Sequence, residues 1–187
     1  MKPFFKIILI GIALGLGIKT LVIESFTVPT ESMTPTLAVG QRVWLWKLPF
    51  KCKKDDIIGF EKGGEYFVKR IVGMPSDAVY TEGGRFQIMG NKRLVSDTQS
   101  AFYKIPKRGD AVVLDKINVK FYQSLIENEE AQVTLLFDKI FINGSETTNY
   151  TFKQNYYFVQ GDNADSSIDS RQFGLIGEKS ILGFVAK

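Results

Sequence analysis

The run from Phe4 to Ile23, charged only at Lys6 and Lys19, sets the first constraint on what this chain can become. As a helix rising about 1.5 Å per residue, it reaches about 30 Å, the thickness of a bilayer's hydrocarbon core. Both lysines lie within about a turn and a half of an end, where a long side chain snorkels to the headgroups. The charge-free part, Ile7 to Ile18, is short enough to suit a cleaved signal peptide. No small-x-small cleavage site follows it, however, and Ala13-Leu14-Gly15 falls inside the run. Residues 1–24 are therefore read as a retained membrane anchor. Lys2, Lys6 and the amino terminus place the N-terminus in the cytoplasm and export the rest, although Lys19 pulls the other way.

Beyond residue 24 the pattern is mostly strand. Arg42 to Trp46, Asp56 to Phe60 and Tyr66 to Val72 are short β-branched or aromatic runs ended by Gly, Pro or charge. Lys139 to Ile142 leads into Asn143-Gly144, a hairpin signal because both residues tolerate positive φ. Tyr156 to Val159 and Ser180 to Val185 complete the set. One soluble helix is expected, over about Asn118 to Glu127. Phe121, Tyr122, Leu125 and Ile126 recur there at helical spacing, and Asn118 is placed to cap it. A chain of 187 residues is long enough for one domain with a proper core.

Composition limits the chemistry. There is no histidine and a single cysteine, Cys52, so an internal disulfide is excluded and no ordinary zinc site is expected. The net charge of +4 is interspersed and forms no nucleic-acid stripe. The one basic cluster, Lys47, Lys51, Lys53 and Lys54, lies beside Trp44, Trp46 and Phe50. It reads either as a solvated loop or as a contact with anionic lipid. Without histidine, a serine nucleophile must pass its proton to a carboxylate, a lysine or the N-terminal amine. A lysine serves only when neutral, and desolvation is what lowers its pKa from about 10.4. Lys69 is suited to that, set in a strand with Phe67 and Ile71 on its face and Val68 and Arg70 on the other.

Three segments now fall into order: Ser32-Met33-x-Pro35-Thr36-Leu37, then Val68-Lys69-Arg70-x-x-Gly73-x-Pro75-x-Asp77, then Gly161-Asp162-Asn163-x-x-x-Ser167-x-Asp169-Ser170-Arg171. Their types, order and spacing, behind an apolar anchor, resemble bacterial type I signal peptidase, the Ser-Lys dyad endopeptidases. The stretch from Phe152 to Asn163 is most similar to versions from the Bacteroidetes. The resemblance implies a β-rich catalytic domain over 25–187, with a small β subdomain inserted at about 78–158. It implies Ser32 as acylating nucleophile and Lys69 as general base, with Ser167 orienting the lysine amine. The Ser32 N–H and the Thr30 hydroxyl would form the oxyanion hole. Asp169 and Arg171 would pair to hold the third motif beside the dyad, supported by Asp162. Val28 and Val68 would line shallow pockets for small residues at the first and third positions before the cut.

The implied activity is removal of signal peptides from exported preproteins at the outer face of a bacterial cytoplasmic membrane. The partners are then preproteins and membrane lipid, with no nucleic acid, metal or cofactor; nothing in the sequence selects an oligomeric state. Two positions depart from the family pattern. Glu31 replaces a common glycine and brings a negative charge near the site, an effect expected to be modest if the two side chains alternate along a strand. Ala164 stands where an arginine or other polar residue is usual. A specialised conjugation or pilin-processing peptidase with the same dyad is the alternative enzyme. Self-cleaving regulators of the LexA type share a similar core but lack an anchor, and a membrane-anchored β-rich binding module would need no dyad.

Overall fold

The computed structural model describes residues 22–47, 51–82, 84–89 and 102–185. The expected anchor, residues 1–24, lies almost wholly outside them. Among the described residues no helix is long and apolar enough to cross a membrane. Ile23 and Glu24, expected at the end of the anchor helix, are instead the first residues of a strand, β1 (Ile23–Thr27). They pair across to Trp46 and Leu45 of β2 (Arg42–Trp46), and that pairing takes up their backbone groups.

Short β-branched runs broken by glycine make the central sheet. β3 (Ile57–Lys62) and β4 (Glu65–Gly73) form a hairpin turned at Gly63 and Gly64, whose φ of 63° and 84° suit glycine. Its register sets Lys69 directly opposite Ile58, a fully buried side chain. After the middle of the chain come β13 (Tyr156–Gln160), β14 (Ile176–Gly177) and β15 (Ile181–Val185). The seven strands lie in the order β1-β2-β15-β3-β4-β13-β14. Gly59 and Gly183 are where the β2 strand passes close, since a Cβ at either would meet Leu45.

Between β4 and β13 lie three smaller sheets. β5 (Ala78–Glu82) pairs with β6 (Arg85–Ile88) and β7 (Phe102–Lys104). β8 (Ala111–Val113) pairs with β12 (Asn149–Thr151), and β10 (Lys139–Ile142) lies between β9 (Val133–Leu136) and β11 (Ser145–Glu146). The Asn143-Gly144 hairpin is present, with φ of 52° and 77°. These sheets share a core with α1 (Val119–Glu127) that runs on to Tyr156, Phe158 and Leu175 of the main body. The stretch expected as an insertion, to residue 158, thus overlaps β13, a strand of the central sheet.

Two expectations about helices are corrected. Asn118 is itself helical in backbone and makes no side-chain cap. Its amide donates back to the Val113 carbonyl, and the Asp115 carboxylate accepts from the Ile117 and Asn118 N–H groups instead. An aspartate three residues earlier closes that turn with a charge, a stronger acceptor than an amide. The body also has a second helix, α2 (Ser170–Phe173), where only one was expected. Four residues are too few for an apolar period to show. A capping box holds it: Asp169 accepts from the Arg171 N–H, and Gln172 reaches back to the Asp169 N–H.

Candidate active site

The segment after β1 folds as a single 3-10 turn, Glu31–Met33, rather than as strand. Met33 is fully buried and packs with Val28, Leu37, Val43, Ile57 and Val68. The Leu37 N–H returns to the Met33 carbonyl at 2.9 Å, and the Thr34 N–H to that of Glu31 at 3.0 Å. An apolar plug on one side of Ser32 and a closed turn on the other thus fix the hydroxyl in place. Glu31 is exposed on that turn, so its separation from the buried Ser32 comes from turn geometry, not from strand alternation.

Lys69 and Ser32 are both about 4% exposed, and the amine nitrogen lies 2.5 Å from the serine oxygen. The Thr30 hydroxyl donates to the same oxygen at 3.1 Å. Burial pushes the Lys69 amine below its ordinary value, and the Asp169 carboxylate pulls part of the way back. The ring of Phe67, two residues earlier on the same strand face, lies 5.9 Å from the amine. A desolvated amine in direct reach of a serine hydroxyl can accept that hydroxyl's proton and so make a nucleophile.

The third motif is built around Asp169, which is fully buried. Its carboxylate accepts from the Gly161 N–H at 2.9 Å and the Ser167 hydroxyl at 2.8 Å, and from Arg171 through Nε at 2.9 Å and Nη2 at 2.8 Å. Burial works against its charge, but the Arg171 guanidinium and these donors outweigh it and hold the carboxyl below the ordinary range. The Ser167 hydroxyl, expected to orient the lysine amine, is turned to Asp169, while the hydrogen bond of Lys69 is to Ser32. Asp162 faces β4 instead of its own motif: its two oxygens take Nε and Nη2 of Arg70 at 2.7 and 2.6 Å.

Several of these contacts were not foreseen from the sequence. The Arg70–Asp162 fork clamps the lysine-bearing strand to the third motif. The Asn163 N–H holds the Ser32 carbonyl at 3.0 Å, and its side chain donates to the Thr34 hydroxyl at 3.1 Å. A Cβ at Gly161 would collide with the Ser167 side chain and the Ser32 carbonyl, so only glycine lets the two turns meet. The available signal was the adjacency of Arg70 to Lys69 and of Gly161 and Asn163 to Asp162, but sequence alone pairs no residues 92 positions apart.

Ser32 and Lys69 lie along a cleft of about 550 Å³, whose walls include Val28, Pro29, Met33, Tyr66, Val68 and Ile168. Val28 and Val68 thus share the cleft with Thr30 and the serine–lysine pair, while Asp162, Asp169 and Arg171 do not line it. No group of three or more His, Cys, Asp or Glu with metal-holding geometry occurs among the described residues.

A buried serine–lysine pair at an open cleft in a β body is an arrangement suited to hydrolysing peptide bonds. Residues 1–186 match the family model described as signal peptidase, peptidase S26. A signal peptidase I from Bacillus licheniformis is 31% identical over 185 residues, covering 95% of this chain and 82% of that protein. A signal peptidase I from Buchnera aphidicola subsp. Baizongia pistaciae is 28% identical, over 97% of this chain and 73% of that one. A solved signal peptidase I from Enterococcus faecalis V583 overlaps with a TM-score of 0.34 at 23% identity, over 73% of this chain and 98% of that one, too loosely for anything to rest on it. The chain belongs to the signal peptidase, peptidase S26, family. It is a serine endopeptidase.

Proposed function

We propose that this chain cleaves N-terminal signal peptides from exported preproteins, with Ser32 as nucleophile and Lys69 as general base. The observation that carries the reading is the 2.5 Å approach of a desolvated Lys69 amine to the buried Ser32 hydroxyl. With the amine neutral, the hydroxyl proton passes to Lys69 as the serine oxygen attacks the scissile carbonyl. The Thr30 hydroxyl and the Ser32 N–H then face the developing oxyanion. Lys69 returns the proton to the leaving amine, giving an acyl-serine ester and a free mature N-terminus. Water, deprotonated by the same lysine, hydrolyses the ester.

The substrate enters as an added strand. β13 pairs with β4 only from Arg70 onward, which leaves the edge of Glu65 to Lys69 on that side without a partner strand among the described residues. Val28 and Val68, both buried in the cleft wall, leave room for small side chains near the cut. Asp169, Arg171, Ser167 and Asp162 are positioning residues behind the dyad. An anchor over residues 1–24, with the body on the extracytoplasmic side, would bring the cleft to preproteins emerging from the membrane. Trp44 and Trp46, both exposed, would rest at the lipid surface.

The test is processing of a defined preprotein in detergent. Ser32→Ala should abolish cleavage with the fold retained. Lys69→Arg should be as inactive as Lys69→Ala, because a guanidinium holds its proton near neutral pH. An arginine variant that cleaves near the wild-type rate would remove Lys69 as the base.

A further inference from the structure

The cleft has one charged wall residue besides Lys69, and it is acidic. Glu65 opens β4, and the alternation of a strand puts Glu65, Phe67 and Lys69 on one face. Glu65 lines the cleft, is exposed, and forms no ion pair among the described residues. Lys62 stands directly across from it in the β3–β4 register. The Lys62 amine is engaged elsewhere, 3.4 Å from the Leu175 carbonyl and 5.3 Å from the centre of the Phe173 ring. Apart from Lys69, no lysine or arginine lines the cleft. At the reacting end, Glu31 and Asp165 are both exposed on the two facing turns and add negative charge.

Resting on the reading of the cleft as the signal-peptide site, we propose that Glu65 is a specificity residue. It favours substrates with a lysine or arginine about four or five residues before the cut and disfavours those with an acidic residue there. The position follows from strand geometry. Glu65 is four residues from Lys69, about 13 Å along β4, and an added strand advances by the same rise. Such a peptide passes Lys69 at the scissile bond and reaches Glu65 after about four of its own residues. A cationic side chain there meets a carboxylate that has no ion-pair partner among the described residues. An acidic one meets like charge, with the Lys62 amine turned to Leu175 and Phe173 and no other cation but Lys69 lining the cleft. Exposed charge pairs act weakly, and attraction gained together with repulsion avoided amounts to about fivefold in kcat/KM between lysine and glutamate substrates.

The experiment uses the full chain in detergent and three synthetic signal-type peptides, identical except for lysine, glutamine or glutamate at the fourth and fifth residues before the cut. Wild type should cleave the lysine peptide about fivefold better than the glutamate one at low salt, and the ratio should shrink towards one in about 0.5 M salt. Glu65→Gln should bring the ratio close to one, and Glu65→Lys should invert it. If wild type cleaves all three equally at low salt, or Glu65→Gln keeps the full preference, the role of Glu65 is overturned and the proposed peptidase activity stands. If wild type cleaves none of them while Ser32→Ala and wild type also leave a preprotein alike, the reading of the site itself fails, and the specificity falls with it.

Discussion

Replacing Lys69 by methionine should stabilise the folded protein at neutral pH, and the gain should vanish as the pH rises. The amine is buried opposite Ile58, and desolvation holds its pKa below the value of about 10.4 expected in the unfolded chain. Below the folded-state pKa, the native protein suffers the full penalty of that burial, about 1.4 kcal/mol for each tenfold displacement of the equilibrium. Methionine fills similar space without a charge to desolvate. It gives up the bond to Ser32, a loss of about 1 kcal/mol. The penalty removed outweighs that loss, so the variant should melt a few degrees above wild type at neutral pH, on the order of 2–4 °C for each kcal/mol gained.

The pH dependence separates this from ordinary repacking. Between the folded and unfolded pKa values the unfolded chain binds a proton that the native one does not, so wild-type stability climbs with pH. Above about 10.4 neither state holds the proton and the penalty is gone. Groups common to both proteins cancel in the difference. Urea denaturation of both proteins from pH 6 to 10.5, followed by circular dichroism, gives that difference directly. A variant less stable than wild type by the same amount at every pH would refute the desolvated lysine.

Two further outcomes bear on the third motif. Asp169→Asn removes the charge that five donor contacts share and leaves Arg171 without its partner, so stability should fall by about 3–5 kcal/mol, on the order of 10 °C in Tm. Because the Asp169 pKa is depressed, its contribution is complete above the ordinary carboxylate range and fades as the pH falls through the folded value, so wild type and variant should converge in acid. Gly161→Ala places a methyl against the Ser167 side chain and the Ser32 carbonyl, which should cost about 1–3 kcal/mol and lower kcat/KM at least about tenfold with the circular dichroism spectrum retained.

How far the sequence could be read depended on the range of each signal. β2 was legible to the residue because its period-two alternation matches its buried and exposed sides. The Asn143-Gly144 turn was legible because both residue types favour positive φ. The turn joining β9 to β10 was not: Phe137 and Asp138 sit at φ of 46° and 67°, and phenylalanine gives no such signal. Lys116 reaches Asp138 at 2.8 Å, a contact from another loop that local pattern does not contain. At the site, the absence of histidine and the apolar strand made Lys69 suited to act as a base, and the resemblance of three ordered segments to the family singled out Ser32 with it. The Arg70–Asp162 fork comes from tertiary pairing, so it was invisible in the spacing, whereas the turn of Ser167 towards Asp169 is a local contact two residues apart.

The same pairing explains how a buried carboxylate can stand close to a lysine that must give up its proton. A bare Asp169 would favour the ammonium form and work against the burial that frees the amine. Here the Arg171 guanidinium takes Asp169 through two nitrogens, and the Gly161 N–H and the Ser167 hydroxyl occupy further acceptor sites. The carboxylate's field is thus largely spent inside the third motif, and its pull on Lys69 stays secondary to desolvation. The ion pair serves two ends: it anchors the turn that carries Asn163 onto the Ser32 carbonyl, and it shields the lysine from the charge that does the anchoring. A neutral residue at position 169 would not compete for the proton but would leave the Arg171 guanidinium without its counter-charge. An aspartate without the Arg171 pairing would still accept from Gly161 but would hold the proton on the amine. Only the paired carboxylate meets both requirements.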